Sequence, residues 1–186
     1  MILDATAGNR SMWQHKNTES IIYIDIEKRL AVKPTIFCDN TNTPFLDNTF
    51  DTIFYDPPHY YRTDDSDLLT MTRAEIKLDM KFKHRLHTYY GSRFARYKHQ
   101  IIRNTYLAQK EFMRILAPDG LLWIKWCETK LTLKRILSIF AEWQILMIIN
   151  VADPTHTMGK YQTYWVCLCK KNIGGEQTRF EGPNFH

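Results

Sequence analysis

Four consecutive residues, Asp56-Pro57-Pro58-His59, set a carboxylate, two ring-locked residues and an imidazole at the end of the apolar run Phe50-Asp51-Thr52-Ile53-Phe54-Tyr55. A short run of β-branched and aromatic residues reads as a buried strand. Two prolines end it at once, because they remove backbone donors and fix φ. Asp56 precedes a proline, so the clash with the ring holds it extended. The expected product is a rigid carboxylate at a strand's carboxyl end, where open α/β sheets place their ligands. A stiff acceptor of that kind suits an exocyclic NH2 group. The plainer reading is a strand that ends in a Pro-Pro turn, and four residues alone do not separate the two.

Further acids lie upstream. The opening stretch Met1–Arg10 runs from apolar residues into small ones and a single glycine, Gly8. It predicts a strand, a tight turn and a helix from Ser11 through His15. Such a junction presents backbone N–H groups to an anionic or polar ligand. A second buried strand is expected over Ile21-Ile22-Tyr23-Ile24-Asp25-Ile26-Glu27. Its Asp25 follows the turn by roughly 20 residues, the separation of the ribose-binding carboxylate in nucleotide-binding folds. A third strand, Thr35–Cys38, runs into Asp39-Asn40.

The charge is concentrated after the Pro-Pro motif. From Arg73 to Lys110, ten Lys/Arg stand against two acids, and this net +8 exceeds the +5 of the whole 186-residue chain. Phe82, Tyr89, Tyr90, Phe94, Tyr97 and Tyr106 are interleaved with them. Basic residues supply phosphate contacts and aromatics supply stacking platforms. The alternative is a solvated helical face whose aromatics belong to the core. The lopsided charge favours nucleic-acid contact over that alternative. Thr72 and Glu75 have capping-box spacing. His84 and His87 read as two surface helix residues rather than metal ligands, and no metal is expected.

The remaining elements form the scaffold. Lys28-Arg29-Leu30-Ala31 is helix-like, and a longer helical period over Ile101–Leu116 should stop before Pro118, with Asp119-Gly120 turning the chain. A strand over Leu121–Cys127, a helix around Lys130–Glu142 and two strands, Gln144–Val151 and Tyr161–Cys169, complete the pattern. Strands alternating with helices, then two strands with none between them, predict an α/β fold: a Rossmann-like three-layer sandwich whose mostly parallel, seven-stranded sheet ends in an antiparallel hairpin. One domain over residues 1–170 is expected, with the basic, aromatic-rich insert at about 60–100 and a polar tail over 171–186. Cys38, Cys127, Cys167 and Cys169 show no CxxC pair and read as free thiols of a reducing compartment. No apolar run reaches the ~20 residues that span a bilayer. A soluble cytoplasmic protein without membrane contact is the expectation.

Four blocks in order resemble the class I S-adenosylmethionine-dependent methyltransferases, over about residues 1–170. Asp4-Ala5-Thr6-Ala7-Gly8-Asn9-Arg10 is similar to the cofactor loop, and Ile24-Asp25 to the acidic end of the second strand. Asp39, followed by Thr43-Pro44-Phe45-Leu46-Asp47-Asn48-Thr49-Phe50-Asp51, resembles the adenine-side acid and the approach to the fourth strand. Phe112–Leu122 resembles the family's helix-to-strand joint. Asp56-Pro57-Pro58-His59 then looks like the (Asp/Asn/Ser)-Pro-Pro-aromatic motif of the amino-methyltransferases, which methylate NH2 groups of nucleobases and some protein amides.

The resemblance implies S-adenosylmethionine as cofactor, held by Asp4, Ala5, Gly8, Asp25, Asp39 and Asn40, with Asp56 beside it. It also implies that Asp56 and the Pro57 carbonyl accept hydrogen bonds from the target amine, that Pro58 stiffens the motif, and that its fourth residue stacks on a flipped base. His59 stands where the family carries an aromatic, so Tyr60 or Tyr61 is the alternative platform. Arg10 stands where a second glycine is usual. Substrate contacts are expected from Tyr60, Tyr61, Arg93, Arg96 and Lys98. The partner is nucleic acid, RNA favoured over DNA, recognised through the insert, its shape, or a partner subunit or homodimer. The competing readings are methyl transfer to a protein amide or small molecule, and a catalytically silent nucleic-acid-binding subunit.

Overall fold

The computed structural model describes residues 1–61, 98–151 and 162–171. Branched and aromatic residues build its strands: Leu3, Ile24, Ile53, Leu122 and Ile124 are sealed from solvent, and the strands that carry them pair in parallel. These are β1 (Ile2–Asp4), β2 (Ile21–Asp25), β3 (Ile36–Phe37), β4 (Phe50–Tyr55) and β5 (Leu116–Cys127). Two antiparallel strands, β6 (Trp143–Val151) and β7 (Thr163–Lys170), complete a seven-stranded sheet in the order β3-β2-β1-β4-β5-β7-β6. The α/β class, the mostly parallel sheet and the antiparallel C-terminal pair are as the sequence predicts. Strand order reverses between β1 and β4, since the chain leaves β3 at one edge and returns on the other side of β1. Open sheets of this kind receive ligands outside the carboxyl ends of the strands at such a reversal.

Helix α1 (Lys98–Ile115) buries Ile101, Thr105, Ala108, Gln109, Phe112 and Ile115, a 3–4 spacing that lays one stripe on the sheet. Phe112 meets Tyr55 of β4 edge-to-face at 5.0 Å. A short helix, α2 (Leu133–Leu137), is capped by Thr132, which accepts from the Arg135 N–H, and continues as a 3-10 turn over Ser138–Phe140. The buried indoles are satisfied as well as packed. Trp126 donates to the Leu131 carbonyl at 2.9 Å and Trp143 to Gln109 at 2.8 Å.

Several expected elements come out differently. Residues 11–15 and 28–31 form turns rather than helices. Isolated helical turns this short are marginal, the first is pinned by Trp13 donating to Asp4, and the second is closed by Pro34. The third strand shrinks to Ile36–Phe37. Helix α1 ends before Pro118, as expected, yet β5 begins directly at Leu116. Its pairing with β4 jumps from Phe50↔Leu116 to Thr52↔Leu121, so 117–120 bulge outward. Gly120 is required there because a Cβ would lie 2.6 Å from the buried Leu116 side chain. The helix expected around Lys130–Glu142 is confined to 133–140. The tail after Lys171, the Thr72/Glu75 cap, the His84/His87 pair and the insert up to residue 97 lie outside the described residues.

The block Thr43–Asp47 proves to be a clamp. Glu111 of α1 accepts from the Thr43 N–H at 2.8 Å and its hydroxyl at 2.6 Å. Arg114 donates to Glu111 at 2.6 Å, to the Phe45 carbonyl at 2.8 Å and to Asp47 at 2.8 Å. Burial alone would raise the Glu111 carboxyl, but the hydrogen bonds from Arg114 and Thr43 outweigh it and hold its pKa below the ordinary value. A depressed carboxyl stabilises the fold above its unfolded pKa, and that contribution is lost as pH falls through the folded one. Glu111→Gln should therefore lower stability at pH 7 by about 1–2 kcal/mol and by less under acid conditions. Urea denaturation at pH 7 and in mild acid reads the difference, and an equal loss at both would contradict the clamp's charge.

Candidate functional site

Asp4 closes β1 and is the most buried acid of the site, 1 % exposed. Its Oδ1 accepts from the Thr6 N–H at 3.1 Å and its Oδ2 from the Trp13 indole at 2.7 Å. Burial pushes its pKa up to about 6, against those two hydrogen bonds, and the charges of Asp56 and Asp25 push it further in the same direction. Asp4 therefore lies close enough to the carboxylates of Asp25 and Asp56, at the ends of β2 and β4, to feel their charge. Thr6 ties β1 to the Pro-Pro motif, because its hydroxyl accepts from the Asp56 N–H at 2.7 Å.

Gly8 takes a left-handed φ of +49°, a region that costs other residues about 1–2 kcal/mol. Its N–H donates to Asp25 Oδ2 at 2.9 Å, and the Glu27 N–H donates to Asp25 Oδ1 at 2.8 Å. Asp25 thus staples the turn after β1 to its own strand end. Arg10 also has a left-handed φ, 55°, and so follows the path that the expected second glycine would take. Its guanidinium explains how an arginine is tolerated. It lies 3.8 Å from the Tyr23 ring centroid and donates to the Lys33 carbonyl at 2.6 Å, to Asn17 at 2.9 Å and to the Lys16 carbonyl. On the far side of Asp25, Asn40 donates to the Ala5 carbonyl at 3.0 Å. Asp39 accepts from the Thr41 N–H at 3.0 Å and its hydroxyl at 2.8 Å.

Asp56 stands one residue past β4, on the face of Phe54. Tyr55 pairs with Ile124, so Lys125 of β5 comes opposite Asp56, and its ammonium donates to Asp56 Oδ2 at 2.8 Å. Both side chains keep a way out to solvent, at 36 % and 26 % exposure. His59 turns inward, its ring edge-to-face with the buried Trp126 at 6.2 Å, and its carbonyl accepts from the Thr129 hydroxyl at 2.7 Å. Burial lowers the His59 pKa, with Lys125 adding to the effect and Asp56 opposing it, so the imidazole is neutral at pH 7. Tyr61 is a core residue, 3 % exposed, while Tyr60 is half-buried. Lys130 lies 5.3 Å and 4.8 Å from their two ring centroids.

The sequence-predicted residues Asp4, Ala5, Gly8, Asp25, Asp39, Asn40 and Asp56 thus gather at the carboxyl ends of β1 to β4. Pro57 and Pro58 continue from that edge. Helix α1 ends where β5 begins, so Lys98 at its start lies toward the same edge. Arg93 and Arg96 lie outside the described residues. Sequence reasoning missed Thr6, Trp13, Lys125 and Lys130. Lys125 carried a signal, as the lone charge inside Leu121–Cys127. Thr6 and Trp13 carried none beyond their nearness to Asp4.

The sequence matches no family model and no curated protein. Solved structures share the fold over nearly the whole chain. Geranyl diphosphate methyltransferase in complex with S-adenosylmethionine superposes with a TM-score of 0.52 at 8 % identity, covering 91 % of this chain and 77 % of that one. A protein from Pyrococcus horikoshii OT3 gives 0.51 at 11 % identity, with 91 % and 81 % covered. The cyclase SpnF gives 0.50 at 13 % identity, with 93 % and 74 % covered. At such identities the likeness is one of fold, and the fold serves more than one reaction.

Proposed function

We propose that this chain is an S-adenosylmethionine-dependent N-methyltransferase that acts on the exocyclic amine of a nucleobase in RNA or DNA. The observation that carries the reading is the position of Asp56-Pro57-Pro58. The motif leaves the sheet at the strand-order reversal, and Asp56 is braced by Thr6 beside the cofactor-type loop. The residues fit the cofactor. The loop surface at Gly8 is open, since a Cβ there would meet only the Thr6 carbonyl, at 4.0 Å. Asp25, at the end of β2, sets a carboxylate directly beside that loop, each oxygen accepting one backbone N–H and keeping lone pairs for a ligand. When bound, S-adenosylmethionine supplies an electrophilic methyl group on a positively charged sulfur.

The chain's own residues bind and orient. Asp25 offers its remaining lone pairs to ribose hydroxyls, and Asp39 and Asn40 face the adenine side. Asp56 and the Pro57 carbonyl accept from the target NH2, which turns the nitrogen lone pair toward the methyl group. Catalysis then comes from positioning. Asp25→Ala should weaken the cofactor by about 1.5–3 kcal/mol, the worth of a hydrogen bond to a charged group. Calorimetric titration with S-adenosylmethionine reads this, and parental affinity would remove Asp25 from the site. RNA and DNA oligonucleotides should bind less tightly as salt rises; salt-insensitive binding would speak against a phosphate-tracking insert. A second reading, methyl transfer to a small molecule, has one specific support: the fold is shared with a geranyl diphosphate methyltransferase.

A further inference from the structure

Among the described residues, the ion pair at the carboxyl edge of β4 and β5 leaves hydrogen-bonding capacity unused on both partners. Lys125 spends one N–H on Asp56 Oδ2, and an ammonium carries three. Among the described residues it donates to nothing else. Asp56 Oδ1 likewise accepts from no described residue. Both side chains reach solvent, at 36 % and 26 % exposure, and both lie on the sheet face of Phe54, since Phe54 pairs with Trp123 and Lys125 is two residues further along β5. A spare acceptor therefore stands beside a spare donor, joined by a 2.8 Å hydrogen bond that fixes their spacing. The complementary ligand edge has an NH2 donor next to an unprotonated sp2 acceptor.

We propose that Lys125 is a specificity-determining residue of this site: Asp56 receives the target NH2 while Lys125 donates to the ring nitrogen beside it. The inference rests on the reading of Asp56 as the amine acceptor. Adenine and cytosine both present this edge, an amine adjacent to an unprotonated ring nitrogen. Guanine presents it only on its sugar side, at N2 and N3; its Watson–Crick edge sets the amine next to an N–H and would face the Lys125 ammonium with another donor. A base that offers a donor where an acceptor is needed leaves a polar group unpaired, which is the strong form of rejection. His59 is neutral and turned toward Trp126. Among the described residues, Lys125 is the charged donor in contact with Asp56.

The test replaces the ring nitrogen with CH. Random-sequence RNA and DNA oligonucleotides carry adenine or 1-deazaadenine, and cytosine or 3-deazacytosine, and single-turnover methyl transfer is measured for the parent, Lys125→Met and Lys125→Arg. Cofactor affinity and thermal melting serve as folding controls. The parent should lose about 5- to 150-fold on its preferred base when the nitrogen is removed, the range of a two-point base contact. Lys125→Met should be slow on the natural base and lose nothing further on the deaza base, because the two changes delete the same contact. Lys125→Arg should keep the parent's sensitivity. A deaza effect equal in parent and Lys125→Met, or absent from both, overturns the role of Lys125 and leaves the methyltransferase reading standing. No transfer by the parent to any base overturns that reading, and the assignment of Lys125 with it.

Discussion

Asp56→Ala is expected to abolish methyl transfer, by about 100-fold or more, while cofactor affinity and folding stay near parental. The size follows from what is removed, a preorganised acceptor aimed at the reacting nitrogen, and losses of that order are usual for one such group. The selectivity follows from the structure. The Asp56 N–H, not its side chain, ties the motif to Thr6, and the carboxylate is partly open to solvent with one half-buried partner, Lys125. Alanine keeps the backbone bond and the Pro-Pro frame. Asp56→Asn should be milder, since the amide retains an acceptor oxygen. Single-turnover transfer and cofactor calorimetry on the same preparations separate the two effects. Parental rates in Asp56→Ala would reduce the motif to a turn.

The second large effect is on stability. Arg10→Ala should destabilise the chain by about 2–4 kcal/mol, because it strips a buried guanidinium of its stacking on Tyr23 and its hydrogen bonds to Lys33, Asn17 and Lys16. Arg10→Gly loses the same contacts but escapes the left-handed penalty that alanine also carries at φ 55°. It should therefore be about 1 kcal/mol more stable than Arg10→Ala. Urea denaturation of the three proteins measures both quantities. Variants within 0.5 kcal/mol of the parent, the ordinary range for an inert surface change, would show that Arg10 is no clamp.

Arg10 also shows what a sequence conceals. Its residue type departs from the glycine expected, yet its backbone takes the glycine's path, and the compensation is spread over Tyr23, Asn17 and Lys33, distant in sequence. The strands were legible because their apolar runs are dense: β4 appears at Phe50–Tyr55 and β5 through Leu121–Cys127 as read. The acids were legible because they end those runs. The short helices were not, since four or five residues of helix-like composition do not overcome nucleation, and Trp13 finds a better partner in Asp4. The Pro44–Asp51 block read as part of a functional motif, and the structure gives it a mechanical role through Glu111 and Arg114. The fourth residue of the Pro-Pro motif also differs from its expected use: His59 faces Trp126, and Tyr61 is buried, which leaves Tyr60 as the one of these three rings that is partly open.

The most direct measurement incubates the parental protein with S-adenosylmethionine labelled in its methyl group and separate pools of RNA, DNA and protein, followed by digestion and chromatography of the products. Label should appear on the exocyclic amine of one nucleobase, in RNA more than in DNA, and should disappear with Asp56→Ala. Label on protein or on a small molecule, or on no acceptor at all despite tight cofactor binding, would contradict a nucleobase amine methyltransferase.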